Sequence, residues 1–394
     1  MRRGNKFNRL ADFWLGIPIL NALATIRQKQ RWPGGGVNRI GVMCSPALGD
    51  TLLFSAVAQD LRAHFDGQGK DVKIIHFCMK QNLAAAELVP GVDQRVLIEL
   101  TKPRETVKKM RAEHLDVLLD FTSWQRLTAF YSLAAGARFT AGFETAGQYR
   151  GRGYDLAIEH RKDRHEVENF RAILQALGIA STREPKVDVP EVLKESTMET
   201  GEIVVFHPWA SGQNSLLREW PVERWVECAK KIGSPSTTFV VTGGPADMER
   251  SESFVARFLE EGLEARSFVS PDGFVSLSHL LRRARVVVSV NTGVMHLAAI
   301  LGAPTVSLNG PTAPQRWGPY GKCVAGVEPA DGSGGYLNLG FEFPHNPEDV
   351  MKKILVDDVV RAVEHVVAAC DRTDTLKYPS KTNSNAMGGV LWRG

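Results

Sequence analysis

The sequence predicts an α/β protein made of two Rossmann-like domains, each a parallel sheet covered by helices, with the sheets facing a central crevice. Three observations carry this expectation. β-branched apolar runs alternate with helical patterns along most of the 394 residues; the alternation lapses near 178–201 and restarts; and several strand ends run straight into short loops of small or polar residues. Repeated βα units of this length favour parallel strands joined by right-handed crossovers.

The first 36 residues precede that alternation. Leu10, Phe13, Trp14, Ile17, Leu20 and Ala24 share one face in helical register, between Arg2, Arg3 and Lys6 on one side and Arg27, Lys29 and Arg31 on the other. Asp12 and Asn21, together with the lack of a small-residue cleavage site, disfavour a cleaved signal peptide. A basic helix lying at a membrane interface and a helix packed on the protein's own surface both fit. Pro33 and the glycines at 34–36 form a hinge.

The N-terminal domain is expected over 37–195. Strands are read at 37–44, 72–77, 95–99, 115–121 and 139–143, with helices at 50–65, 81–89, 104–113 and 123–134. A charged helix at 163–177 leads into the Pro-, Glu-, Thr- and Ser-rich boundary. The C-terminal domain, 196–370, carries strands at 203–207, 237–242, 266–269, 286–290 and 305–308. Its helices fall near 221–232, 246–261, 275–284, 293–301 and 357–369. Residues 329–347 read as a loop, and the polar stretch 371–394 as a disordered tail.

Composition narrows the class. Charged residues make up 23% and hydrophobic ones 43%, as in a soluble globular protein. Forty-eight Lys and Arg against 44 Asp and Glu leave a formal charge of +4, too small an excess to imply nucleic acid yet compatible with anionic substrates or lipid. Five scattered cysteines, without CxxC or Cys/His ligand spacing, support neither a disulfide framework nor a zinc site and fit a reducing cytoplasm. No apolar run reaches the ~18 residues that crossing a bilayer requires.

The most informative stretch is 286–299, where an apolar strand ends in Asn291-Thr292-Gly293 and a helix begins at once. Such a junction aims unpaired backbone N–H groups and the positive end of a helix dipole at one spot, so an anion such as a diphosphate can bind there; His296 lies one turn inside. Helix capping and tight packing account for the same residues. Four further loops are expected on strand ends: Asn309 to Thr312, a second small-residue loop delivered to the same edge by the adjacent strand; Ser45 to Thr51, with Asp50 as helix N-cap, general base or both; His207 to Pro221, with Ser211, Gly212 and the forked cation of Arg218; and Thr242 to Pro245, where Thr242 and Gly243 could lie near a nucleoside. None of these is a GxGxxG or P-loop pattern.

Residues 47–53 (ALGDTLL), 208–212 (PWASG) with 218–221 (REWP), 242–245 (TGGP) and 291–312 (NTGVMHLAAILGAPTVSLNGPT) resemble, in order and spacing, the heptosyltransferase-type enzymes of glycosyltransferase family 9. The resemblance runs over roughly 37–370. It implies a GT-B fold and an inverting, metal-independent transfer of heptose or a related sugar, with no cofactor beyond the nucleotide-sugar co-substrate. The donor, ADP-heptose-like or another nucleotide-diphosphate sugar, would lie in the C-terminal domain. A lipid-linked acceptor of the lipopolysaccharide core would lie in the N-terminal one, on a cytoplasmic protein peripheral to the inner membrane. Asp50 matches the family's general base; Arg218 stands where a phosphate-contacting lysine is common; Thr292, Gly293 and His296 match the diphosphate-binding helix start. Asn291 departs from the usual aspartate, and the 211–218 loop is longer and more apolar at Leu216 and Leu217, so donor identity stays open. The same features leave room for a weakened nucleotide-sugar-binding protein, or an epimerase of the same fold.

Overall fold

A computed structural model describes residues 6–26, 28–34, 36–191, 201–212, 214–270 and 272–374. The chain divides into two compact units at Asp188–Val189. The segment after the last helix of the first unit belongs to it as far as Asp188, tethered by Asp188 N donating to Leu88 O (2.9 Å) and Lys186 N to Ser55 Oγ (3.0 Å).

The N-terminal unit holds strands β1 (Arg39–Met43), β2 (Lys73–Cys78), β3 (Gln94–Leu97), β4 (Val117–Asp120), β5 (Phe139–Thr145) and β6 (Leu156–His160). Its helices are α1 (Lys6–Ile26), α2 (Leu48–Asp66), α3 (Leu83–Ala86), α4 (Pro103–Ala112), α5 (Arg126–Ala134) and α6 (Glu166–Ala176). The strands pair in parallel in the order β3-β2-β1-β4-β5-β6. The chain therefore builds outward from β1, returns, and builds the other way from β4. In open α/β sheets that reversal leaves a gap beyond the strand C-termini where ligands bind.

The C-terminal unit repeats the plan. Strands β7 (Glu202–His207), β8 (Thr237–Gly243), β9 (Ala265–Val269), β10 (Val286–Val290), β11 (Thr305–Leu308) and β12 (Val324–Val327) lie in the order β12-β11-β10-β7-β8-β9, all parallel. Helices α7 (Val222–Ile232), α8 (Met248–Glu260), α9 (Val275–Arg283), α10 (Gly293–Ile300), α11 (Pro314–Trp317) and α12 (Val356–Asp374) surround them. The reversal here falls between β7 and β10. On one side of the sheet Phe206, Trp225, Phe239, Phe254 and Phe258 form a buried aromatic core.

Several expectations are corrected. Strands β6 and β12 were not anticipated: β6 is a sheet-edge strand whose Glu159 breaks the apolar signal, and β12 is four residues long with a glycine inside it. The expected 123–134 helix begins only at Arg126, because 123–125 form the turn out of β4. Helix α12 runs to Asp374, so the first residues assigned to the tail are helical; the remainder of it, 375–394, lies outside the described residues, as do Arg2 and Arg3.

The N-terminal helix is fastened to its own unit. Asp12 Oδ1 accepts from Leu127 N (3.0 Å) and Oδ2 from Arg126 N and Nη1 (3.3 and 3.2 Å), so Asp12 supplies the N-terminal cap that α5 lacks from its own Gln125. Arg152 Nη1 donates to Asn21 Oδ1 (2.9 Å), and Leu20 is buried against Ala129 and Tyr154. Leu20 therefore belongs to the protein interior. Trp14 (69% exposed) and Ile19 (45%) face solvent. Among the described residues no helix is long and apolar enough to cross a membrane.

Candidate functional site

In the C-terminal unit, the loops after β7 and β10 flank the topological reversal. The β10 turn is the more sharply built. Thr292 is the N-cap of α10, with extended backbone (φ −149°) and no side-chain capping bond, and its buried Oγ1 has no hydrogen-bond partner among the described residues. The amides that open an α-helix have no partner within it. An unspent hydroxyl and a positive helix end thus converge on one point, which suits an oxyanion. Gly293 is half-buried at the first helical position, and His296 is buried one turn in, its amide donating to Thr292 O (3.4 Å).

Asn291 just precedes this cap, and its amide is committed on one side. Nδ2 donates to Asn309 Oδ1 (2.8 Å) and to Trp317 O (2.6 Å). A main-chain carbonyl can only accept, so the NH2 group must point that way, leaving Oδ1 as the one pole of Asn291 open to a ligand. Asn291 therefore has no hydrogen-bond donor to spare for a ligand: both of its protons are used inside the protein. Asn309 is fully buried and donates through Nδ2 to Ser307 O (3.0 Å) and Ser307 Oγ (2.5 Å). Asn309 opens the second polar loop expected on this edge, and the parallel register Val290↔Leu308 places both asparagines one residue beyond paired strand ends; their mutual hydrogen bond is what the sequence did not disclose.

The β7 loop is a closed clasp. Gly212 has φ +95° and Asn214 φ +55°, turning the chain so that Arg218, at the end of a 3-10 turn (Ser215–Arg218), donates through Nη2 to Ser211 O. Arg218 is half-buried, and its observed contact is to this loop's own backbone. Glu219, not singled out beforehand, braces the base: Oε1 accepts from Ala210 N (2.9 Å), Oε2 pairs with Arg250, and the Arg250 guanidinium lies 3.8 Å from the Trp209 ring centroid. Ser211 and Gly212 are exposed. Thr242 is buried, its hydroxyl 3.0 Å from His207 Nδ1 and 3.3 Å from Phe206 O; Gly243 packs tightly against Trp209 and Ser251. Burial lowers the His207 pKa to about 4, which keeps this imidazole neutral.

In the N-terminal unit, Asp50 follows β1 at the reversal between β1 and β4. Helix α2 is capped at Ala47, so Asp50 is its third residue; the N-cap expectation is corrected. A carboxylate in the first turn still interacts favourably with the dipole. The turn is pinned from behind. Asn82 Nδ2 donates to Thr51 Oγ1 (2.9 Å) and Ser45 O (3.2 Å), Asn82 Oδ1 accepts from Met79 N (2.8 Å), and Thr51 Oγ1 donates to Ala47 O (2.9 Å). Beneath them the Cys44 thiol meets His76 Nε2 at 3.2 Å. Burial raises the thiol's pKa and lowers that of His76 to about 3, so both are neutral. Among the described residues no cluster of three His, Cys, Asp or Glu could hold a metal ion.

Two Rossmann-like units, each with its polar turn at the topological reversal, define an α/β protein of the GT-B class. A heptosyltransferase II from Escherichia coli shares this fold, at a TM-score of 0.66 and 18% identity over 84% of this chain and 98% of that one. So does the E. coli heptosyltransferase WaaC solved with ADP, at 0.62 and 19% over 83% and 99%. The profile of glycosyltransferase family 9 (heptosyltransferase) matches residues 104–331, more than half of the chain, which therefore belongs to that family. Lipopolysaccharide heptosyltransferase 1 of E. coli K12 is 26% identical over 54% of this chain, and that of Pseudomonas aeruginosa 31% over 51%. The matches span 66% and 51% of those relatives' own lengths.

Proposed function

We propose that the protein is an inverting glycosyltransferase that moves heptose or a related sugar from a nucleotide-diphosphate donor to a lipopolysaccharide-core acceptor, without a catalytic metal. Family membership supports the reaction class. The observation that carries the chemistry is the β10–α10 junction, where Thr292 Oγ1 is buried without a partner among the described residues, beside the opening amides of a helix. On the donor side these groups would take the diphosphate, with Arg218 as the added cation. As the sugar–phosphate bond lengthens, negative charge builds on the diphosphate, and dipole and guanidinium act more strongly on that state than on the intact donor. Asn291, open only through Oδ1, would accept a hydrogen bond from a donor hydroxyl.

On the acceptor side Asp50 would take the proton of the attacking hydroxyl. The carboxylate is held on a turn fixed by Asn82 and Thr51, which suits a group that must keep its aim. Inversion follows if the hydroxyl attacks the anomeric carbon from the face opposite the departing diphosphate.

We infer a cytoplasmic protein peripheral to the inner membrane; exposed Trp14 and Ile19 on α1, and the exposed cations Lys29 and Arg31 that follow it in the chain, support the membrane contact.

The test is a transfer assay with ADP-heptose and delipidated core oligosaccharide, preceded by a thermal-shift panel of nucleotide sugars; a ligand at 100 times its Kd stabilises by about 2.7 kcal/mol. Asp50→Asn should keep donor binding and lower turnover by roughly 10²–10⁴. Near-wild-type turnover in that variant would remove Asp50 from the role, and donor binding with no transfer by the wild type would replace the enzyme reading with that of a binding protein.

A further inference from the structure

Tyr149 lies in the turn after β5, 57% exposed, with φ +54°, a left-handed conformation that bulky side chains rarely adopt. The backbone on both sides is tied down. Gln148 N donates to Thr145 O (2.9 Å), and Gly147 O accepts from the buried Arg126 (3.2 Å). The next residue, Arg150, is fully buried, pairing with Asp120 Oδ2 (2.9 Å) and donating to Thr122 Oγ1 (2.7 Å). Gly151 N donates to Glu144 Oε2 (2.6 Å). A buried ion pair and several hydrogen bonds thus hold the turn in a form that puts an aromatic ring in solvent, and the Tyr149 hydroxyl makes no hydrogen bond among the described residues. Over-determined strain of this kind tends to be retained where a side chain is needed in one place.

Its neighbourhood indicates what for. The parallel order β1-β4-β5 sets the turns after these strands side by side on the sheet edge that carries Asp50, and Thr145 Oγ1, at the end of β5, donates to Ser123 O in the turn after β4. Residues 144–148 are Glu, Thr, Ala, Gly and Gln and residue 150 is a buried Arg, so the turn itself adds no second exposed large apolar side chain to the ring. A pyranose ring suits such a site, since one face presents C–H groups while its rim carries hydroxyls. We propose that Tyr149 is a stacking platform for a sugar ring of the acceptor glycan, on the same edge as Asp50 and two strands along from it; this rests on the glycosyltransferase reading.

The experiment measures binding of delipidated core oligosaccharide by saturation-transfer NMR, and acceptor KM, in wild type, Tyr149→Gly and Tyr149→Phe. Glycine adopts φ +54° freely, so Tyr149→Gly should melt at or above the wild-type temperature. It should nevertheless raise acceptor Kd and KM about tenfold, equivalent to ~1.4 kcal/mol, with donor binding unchanged. Tyr149→Phe should stay within about twofold. Wild-type acceptor affinity in Tyr149→Gly overturns the proposal, and so does loss of binding to anionic vesicles with acceptor affinity intact, which would make the ring a membrane contact. If the wild type neither binds the oligosaccharide nor transfers sugar to it, the glycosyltransferase reading itself fails, and the proposal with it.

Discussion

Replacing Asn291 by aspartate changes one atom and should cost the C-terminal unit a large part of its margin. The asparagine spends both amide protons, on Asn309 Oδ1 at 2.8 Å and Trp317 O at 2.6 Å. Losing two hydrogen bonds at about 1 kcal/mol each removes ~2 kcal/mol. The ionised carboxylate would then face two acceptor oxygens, one of them on a fully buried residue. Protonation relieves that repulsion by restoring one donor, so the folded-state pKa of the introduced carboxyl should rise by roughly 1–2 units, or ~1.4–2.8 kcal/mol. A carboxyl whose folded pKa is raised favours folding below its unfolded value and loses that contribution as pH climbs through the folded one. The deficit against wild type should therefore be about 1 kcal/mol near pH 4, where the protonated carboxyl restores one donor, and about 2.4–3.8 kcal/mol at pH 8. Paired urea titrations followed by tryptophan fluorescence measure it, as a difference at each pH. Equal stability at pH 8, or a deficit that widens on acidification, would refute the hydrogen-bond assignment.

Other outcomes follow from the same geometry. Arg218→Ala should weaken nucleotide-diphosphate binding by ~1.5–3 kcal/mol, with less effect on the nucleoside, as read by calorimetry; equal losses for both ligands would leave Arg218 only as the clasp of its loop. His76 and His207, with pKa values lowered to about 3 and 4, stay neutral when folded but gain protons on unfolding below about pH 6.5. Stability should consequently fall as pH drops from about 6.5 towards 4, by an amount on the order of 1.4 kcal/mol per unit for each histidine, and a flat melting temperature over that range would contradict their burial. For the membrane, Trp14→Ser combined with Ile19→Ser should reduce sedimentation with anionic vesicles while leaving the melting temperature within about 2 °C, because both side chains face solvent. Deleting residues 1–33, in contrast, should destabilise the N-terminal unit, since it removes the cap on α5 and uncovers Ala129 and Tyr154.

The sheets were legible because buried parallel strands are written as short β-branched runs, and Val286–Val290 is one such run. β6 escaped because an edge strand is apolar on only part of its surface. The candidate site was legible where a motif is local: Asn291 to His296 occupy one turn, and their helix start is where the pattern placed it. What pairs across the fold was not legible. Asn309 lies 18 residues from Asn291, Asn82 lies 31 from Thr51, and Arg150 lies 30 from Asp120. Such bonds depend on strand register and crossover handedness, which no single segment encodes. The helix of residues 6–26 shows the same limit. Its apolar face was visible, but which residues of it turn inward is decided by Arg126 and Arg152, more than a hundred residues away.

That separation has a consequence for how the chain is made. Helix α1 leaves the ribosome well before the residues that secure it, with 114 residues between Asp12 and Arg126 and 131 between Asn21 and Arg152. At synthesis rates of about 5–20 residues per second the delay is roughly 6–26 s. Over that interval Leu20 is uncovered along with Trp14 and Ile19, and the nascent segment presents a wider apolar surface than the finished protein keeps. A chaperone or lipid surface that engages α1 during translation must release Leu20 and Asp12 before α5 can dock, so the tightness of any early attachment sets a ceiling on how fast the N-terminal unit can close.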